Sequence, residues 1–176
     1  LHEREAEPGT RWDYVSVDTH VLGMIIAGAT GRDPADLMAE RIIQPMGFEA
    51  EPYFLTDGEG TAFVLGGLNM RTRDYARFGQ MVLQKGEWQG KRIVSADWVE
   101  ASTLPSAPNG ALYGYQWWIP KNAMGDFMAQ GIYGQFIYFS PRHDTVIVVN
   151  AVDRHFKNDG VDAVNEAMLK TIAAVR

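Results

Sequence analysis

The spacing of hydrophobic residues changes along this chain, and that change limits the fold more than any other feature. Up to residue 83, apolar residues recur every three or four positions: Val17, Val21, Leu22, Ile25, Ile26 and Ala29, then Leu37, Met38 and Ile42, then Tyr75, Phe78, Val82 and Leu83. Each set lies along one face of a helix. Boundary signals agree. Ser16 is placed as an N-cap with Gly31 just past the end; Asp33 caps a second helix with Pro34 at its first position, and Pro45 and Gly47 stop it. Thr72 caps a third helix that stops at Gly86, and Ser95 caps a short one over 96–102. Beyond residue 112 the texture differs. Segments 113–119, 126–129, 135–139 and 145–149 are rich in aromatic and β-branched residues and separated by Gly, Pro, Asn and Asp, as strands are. The linker 140–144 is short enough for an antiparallel hairpin. A last helix is predicted over 159–175, with Val161, Val164, Met168 and Ile172 on its buried side. Helices, then consecutive strands, then a helix predict an α+β fold, an antiparallel sheet flanked by helices, and not alternating βαβ units.

The connecting pieces read as an extended lead-in over 1–13, a link over 51–60 with a short strand at 53–55, a loop over 86–90 leading to a strand at 92–94, and a loop over 103–110. A chain of 176 residues can bury one sizeable core. Sixteen Lys and Arg against 22 Asp and Glu give a net charge of -6, without the basic excess that tracking a phosphate backbone requires, so no nucleic-acid partner is expected. Cysteine is absent, which excludes disulfides, thiolate zinc sites and a cysteine nucleophile. The longest apolar runs, 21–29 and 145–152, fall well short of the ~18 residues of a membrane span. Leu1-His2-Glu3-Arg4-Glu5 carries neither an initiator Met nor a signal-peptide pattern, so the natural amino terminus is expected to lie outside this chain. The compartment, cytoplasmic or periplasmic and secreted, stays open.

Candidate chemistry is sparse. His2, His20, His143 and His155 stand in no metal-ligand spacing, and neither 153–155 nor 57–60 has one, so no metal and no cofactor is expected. No serine has the flanking glycines of a nucleophile elbow, and none has Lys three positions later. Two segments are sharper. Trp12-Asp13-Tyr14-Val15-Ser16 sets a phenol and a hydroxyl at a helix entrance, where they either staple and cap the helix or project into a cleft. In Gly131-Ile132-Tyr133-Gly134-Gln135, two glycines bracket the end of a predicted strand, either as a bulge or turn or to let backbone approach a ligand.

Together with other short stretches, these segments resemble the carboxy-terminal portion of the serine β-lactamase and penicillin-binding-protein superfamily, in its class C-like branch of esterases and 6-aminohexanoate-oligomer hydrolases. Tyr14-Val15-Ser16 resembles its Tyr-x-Asn or Tyr-x-Ser motif, and Gln44-Pro45-Met46-Gly47-Phe48 its Pro-Leu-Gly-Met step. Gly66-Gly67-Leu68 followed by Thr72-Arg73-Asp74-Tyr75-Ala76-Arg77-Phe78-Gly79 is similar to its Gly-Gly-Leu and ARFG stretch. Tyr115-Gln116-Trp117-Trp118 and Gly131 to Gln135, with Tyr138 and Pro141, resemble the strands bordering its active site. Where β-lactamases have Lys-Thr-Gly, this chain has Ala129-Gln130-Gly131, and the superfamily's Ser-x-x-Lys lies upstream of Tyr14, where only thirteen residues stand here.

The resemblance implies that residues 1–176 are the carboxy-terminal portion of one β-lactamase-like domain, and that the whole hydrolyses a small-molecule amide or ester through an acyl-enzyme. Ser-x-x-Lys would come from the missing amino-terminal segment, a partner of this chain within the same domain. Tyr14 would share the general-base role with that lysine, and the N–H of Ile132 would be one oxyanion donor. Ser16, Gly131, Tyr133, Gln135 and Trp117 would border the substrate, with Trp117, Trp118 and Tyr133 as a flat apolar wall. The alternatives are a catalytically silent relative acting as sensor or scaffold, which the presence or absence of Ser-x-x-Lys would discriminate, and an unrelated α+β binding module.

Overall fold

A computed structural model describes residues 4–121 and 124–175, which leaves His2 outside the described residues. Helix α1 spans Ser16–Thr30 and ends at Gly31, whose left-handed backbone (φ 66°) turns its N–H onto the Ala27 carbonyl. Its N-cap is Val15, extended at φ -118° and ψ 109°, so Ser16 is the first helical residue and does not cap. Asp33 does cap: its carboxylate accepts the Ala35 N–H at 2.7 Å at the start of α2, Pro34–Met38. The chain then passes through a π turn, Ala39–Ile43, into α3, Gln44–Met46, and stops at Gly47. Pro45 thus sits inside the helical run it was expected to end. Proline lacks the N–H for a normal i→i−4 bond, and the wider π turn absorbs that loss.

Strand β1, Tyr53–Phe54, pairs antiparallel with β2, Leu68–Asn69. Helix α4, Thr72–Leu83, has Arg71 as its N-cap, so Thr72 does not cap it. The segment expected as a loop is a hairpin, β3 Glu87–Trp88 with β4 Lys91–Arg92. Gln89 and Gly90 both take positive φ (48° and 77°), as a tight two-residue hairpin turn needs. Helix α5, Ala96–Thr103, is capped by the Ser95 hydroxyl, which accepts the Trp98 N–H at 3.2 Å.

The centre is a three-stranded antiparallel sheet, β5 Phe127–Gln130, β6 Phe136–Ser140 and β7 Thr145–Val149, in the order β5-β6-β7. Phe127 faces Phe139, Gln130 faces Phe136, and Ser140 faces Thr145. Alternation along β6 divides the core between two layers. Phe139 and Ile137 join Phe127, Val146 and the α4 residues Met81 and Val82 on one face. Phe136 and Tyr138 join Met128, Ile147 and the residues of α6, Val161–Ala174, on the other. Helix α4 lies close because Gly79 has no side chain: a Cβ there would stand 2.6 Å from Val146 Cγ1. At the edge of the second layer, Asp126 is buried and accepts from the Tyr138 hydroxyl at 2.5 Å and the Ser140 hydroxyl at 2.8 Å. Burial, and then that bond, raises the Tyr138 phenol far above its ordinary range.

Three expectations fail here for physical reasons. Segment 113–119 is no strand: Gln116 at φ 67° folds it back, so Tyr113 bridges Trp118, and Trp118 bridges Met128. On α6 the covered row is 161, 165, 169 and 173, with Leu169 and Ala173 buried, while Val164, Met168 and Ile172 are exposed. Asn165 interrupts the true row and hid it from the pattern. On α1, Val17, Val21, Leu22, Ile25 and Ile26 are all exposed; the helix packs through its buried Gly23, where a Cβ would meet Val64. Its apolar residues run round most of the cylinder, and the described residues cover only one side. No helix among the described residues is long and apolar enough to cross a membrane.

Candidate active site

A cleft of about 980 Å3 opens between the start of α1, the loop before β2, the turn joining β5 to β6, and the chain leading from β7 into α6. It brings together most of the residues singled out in the sequence. Tyr14 and Ser16 line it from the entrance of α1, and Gly131, Ile132, Tyr133 and Gln135 line it from the β5–β6 turn. A second hollow, about 560 Å3, lies between α2 and residues 47–54 and contains none of the expected site residues.

Tyr14 is held by aromatic packing and keeps its ring half exposed. Its ring centroid is 5.1 Å from Trp118 and 6.2 Å from Tyr113, and Trp12 meets Tyr113 at a tilt and Trp118 edge-on. Tyr113 is buried, and burial, then the neighbouring Tyr14 phenol, pushes it up to about 12. Of the two phenols, Tyr14 is the exposed one. Ser16, the first residue of α1, lines the same cleft without capping.

Trp117, expected on the apolar wall, belongs to the core instead. Its ring meets Phe127 at 5.4 Å and Phe139 at 5.3 Å, both edge-on. Trp118 is the tryptophan that lines the cleft. Adjacent residues in extended chain face opposite ways, so of the two expected on the wall one turns inward, and no residue pattern distinguishes them. Tyr133 is exposed on the cleft, edge-on to Phe156 at 5.0 Å. Phe156 was not singled out; it follows a polar run with no period, so no pattern marked it.

The β5–β6 turn is defined by its hydrogen bonds. The Gly131 N–H donates to the Gln135 carbonyl at 2.8 Å, the Tyr133 N–H to Gln135 Oε1 at 3.0 Å, and the Asp153 N–H to the Tyr133 carbonyl at 2.9 Å. Between the two engaged amides, the Ile132 N–H has no acceptor among the described residues. Ile132 is 64% exposed. Gln135 uses both ends of its amide within the protein, since Nε2 also donates to the Ala151 carbonyl at 2.7 Å. Each end of its amide thus holds the turn while the residue lines the cleft.

The cleft carries little charge. Asp162 accepts from Gln130 Nε2 at 3.0 Å and Asp153 from the His155 N–H at 2.8 Å, and no Lys, Arg or His is among the described residues lining it. Ala129, followed by Gln130 and Gly131, lines the cleft at the end of β5. No cluster of three or more His, Cys, Asp or Glu able to hold a metal occurs among the described residues. The arrangement offers a phenol, a hydroxyl and an unengaged backbone N–H on one apolar surface, a set suited to proton transfer and to stabilising a developing oxyanion.

Comparison with known proteins places this architecture. The model of the family described as Beta-lactamase matches residues 2–169. The chain belongs to the β-lactamase family. Within it, a 6-aminohexanoate-dimer hydrolase from Paenarthrobacter ureafaciens is 31% identical over 150 residues, 78% of this chain and 38% of that protein. A solved Bacillus anthracis structure that carries the provisional name 6-aminohexanoate-dimer hydrolase superposes with a TM-score of 0.87 at 34% identity, covering 97% of this chain and 46% of that one. A β-lactamase from Mycobacterium bovis shares the fold, with a TM-score of 0.72 at 23% identity over 96% of this chain and 67% of the other. The chain therefore spans less than half the length of the hydrolases it most resembles in sequence among these three. As a member of the β-lactamase family it has an α+β fold with helices against an antiparallel sheet.

Proposed function

We propose that this chain is the carboxy-terminal portion of one β-lactamase-like domain that cleaves a small amide or ester through an acyl-enzyme, with the Ser-x-x-Lys pair contributed from outside residues 1–176. The observation that carries this reading is the shared cleft of Tyr14 and the unengaged Ile132 N–H. In this mechanism the serine hydroxyl gives its proton to the Tyr14 and lysine pair as its oxygen bonds the carbonyl carbon. The carbonyl oxygen gains the charge and accepts from the Ile132 N–H and from the serine's own N–H. The carbon–nitrogen or carbon–oxygen bond then breaks, and Tyr14 returns the proton to the leaving group. Water repeats the sequence to release the acid.

The substrate is a short ester or linear amide and not a β-lactam. With Ala129 in place of lysine and no cation lining the cleft, a drug carboxylate would forgo its charge-assisted hydrogen bond. Trp118 and Tyr133 instead present apolar surface. The names of the relatives, 6-aminohexanoate-dimer hydrolases, are consistent with a linear amide.

The test compares the complete protein with the 176-residue chain on p-nitrophenyl butyrate, a linear amide and nitrocefin, with intact-mass detection of the acyl adduct. The complete protein should acylate at a serine outside this chain and prefer the ester or amide, and the chain alone should not turn over. Turnover by the chain alone, abolished by a substitution within it, would show that the nucleophile lies here. Nitrocefin turned over faster than every ester and amide would refute the substrate class, and absence of any adduct would favour the catalytically silent alternative.

A further inference from the structure

An oxyanion donor on a turn is useful only if its N–H keeps one direction, and on this turn the group that could hold it is a side chain. The peptide plane bearing the Ile132 N–H lies between two pinned planes. The plane before it is fixed by the Gly131 N–H on the Gln135 carbonyl, and the plane after it by the Tyr133 N–H on Gln135 Oε1. Gln135 is itself anchored by Nε2 on the Ala151 carbonyl beyond β7. The same residue therefore closes both sides through different atoms, and its amide orientation is set because only one placement gives an acceptor to Tyr133 and a donor to Ala151. Gly131 makes room for the arrangement: a Cβ there would stand 2.4 Å from Gln135 Oε1 and 3.0 Å from Gln135 Cβ.

We propose that Gln135 is a positioning residue, a clamp across the β5–β6 turn that aims the Ile132 N–H into the cleft; its catalytic consequence rests on the acyl-transfer reading above. Gln135→Met keeps length and apolar bulk and removes both amide bonds. In the complete protein it should lower kcat about tenfold or more while KM moves less than about threefold, because a misaimed oxyanion donor weakens transition-state binding and leaves ground-state binding alone. Gln135→Glu separates the clamp from mere packing. As a carboxylate it can accept from Tyr133 but opposes the Ala151 carbonyl, whereas as a neutral acid it can accept and donate as glutamine does. The ratio of its kcat to the wild-type value should rise toward one as pH falls through the pKa of the new carboxyl. Gly131→Ala should mimic Gln135→Met, and the two together should cost little more than the worse one alone.

A readout independent of turnover decides the clamp by itself. Amide hydrogen exchange at Tyr133 should be at least about tenfold faster in Gln135→Met, while the amides of Phe136–Ser140 keep their protection. Unchanged Tyr133 exchange in the folded variant, or a KM that rises with kcat intact, overturns the proposal. Wild-type protein without turnover would count against the acyl-transfer reading, and the exchange result alone would then judge the clamp.

Discussion

Replacing Ile132 with proline removes one backbone N–H and almost nothing else, which makes it the sharpest probe of the oxyanion assignment. The Ile132 N–H serves no hydrogen bond among the described residues, so its loss breaks none. Ile132 is not in the left-handed region, and Gly131 before it follows strand β5, where extended backbone suits a residue preceding proline. With 64% of the residue exposed, about a third of a full side-chain burial of ~1.5–3 kcal/mol is at stake, roughly 0.5–1 kcal/mol. A stiffer unfolded chain returns about 0.4–1 kcal/mol of that. Stability should therefore change by less than about 1 kcal/mol. Loss of one oxyanion donor, in contrast, costs about 2.7–4 kcal/mol of transition-state stabilisation, a 10²- to 10³-fold fall in kcat. The assay pairs kcat and KM of the complete protein on p-nitrophenyl butyrate with urea denaturation, and Ile132→Val, which keeps the N–H, should stay near wild type. A folded Ile132→Pro protein within about threefold of wild-type kcat would refute the reasoning.

In the complete protein, Tyr14→Phe should fold normally and lose about 10²-fold or more in acylation rate; a kcat/KM near wild type would leave Tyr14 as packing against Trp118. Tyr113 makes stability depend on alkaline pH. Its phenol titrates at about 12 when folded against ~10 when unfolded, so its contribution is complete below about pH 10 and is lost as pH rises through about 12. Tyr113→Phe should flatten the fall of the denaturation midpoint across that window, although Tyr138 and Tyr75, also raised by burial, keep part of it. An unchanged slope would mean that Tyr113 ionises freely in the native protein.

How much of this was legible in the sequence depended on whether a residue's environment is local. The Asp33 and Ser95 caps, the end of α1 at Gly31 and the β6–β7 hairpin follow from side chains acting within a few residues, and all were readable. Tyr14 and Gly131 to Gln135 line one cleft. What failed was decided at longer range. The row that α6 buries was set by the aromatic residues of β6, and the inward turn of Trp117 by Phe127 and Phe139. The role of Gln135 within its turn required Ala151, sixteen residues away. Helix α1 shows the same limit from the other side: among the described residues it is buried at Gly23 and half-buried at Thr19, His20 and Ala27, while Val17, Val21, Leu22, Ile25 and Ile26 stay exposed.

On the proposed acyl-transfer reading, a donor that belongs to the main chain has a consequence for how such a cleft diversifies. Because the N–H of Ile132 is common to every residue but proline, and because the side chain there reaches outward, selection at position 132 can explore size and polarity while the chemistry stays insulated from the change. Gln135 and Gly131 carry the opposite burden, since each is fixed by a fit that tolerates little substitution. Specificity can then drift at one position of a five-residue turn while its neighbours hold the reaction constant, a division of evolutionary labour within a single bend of the chain.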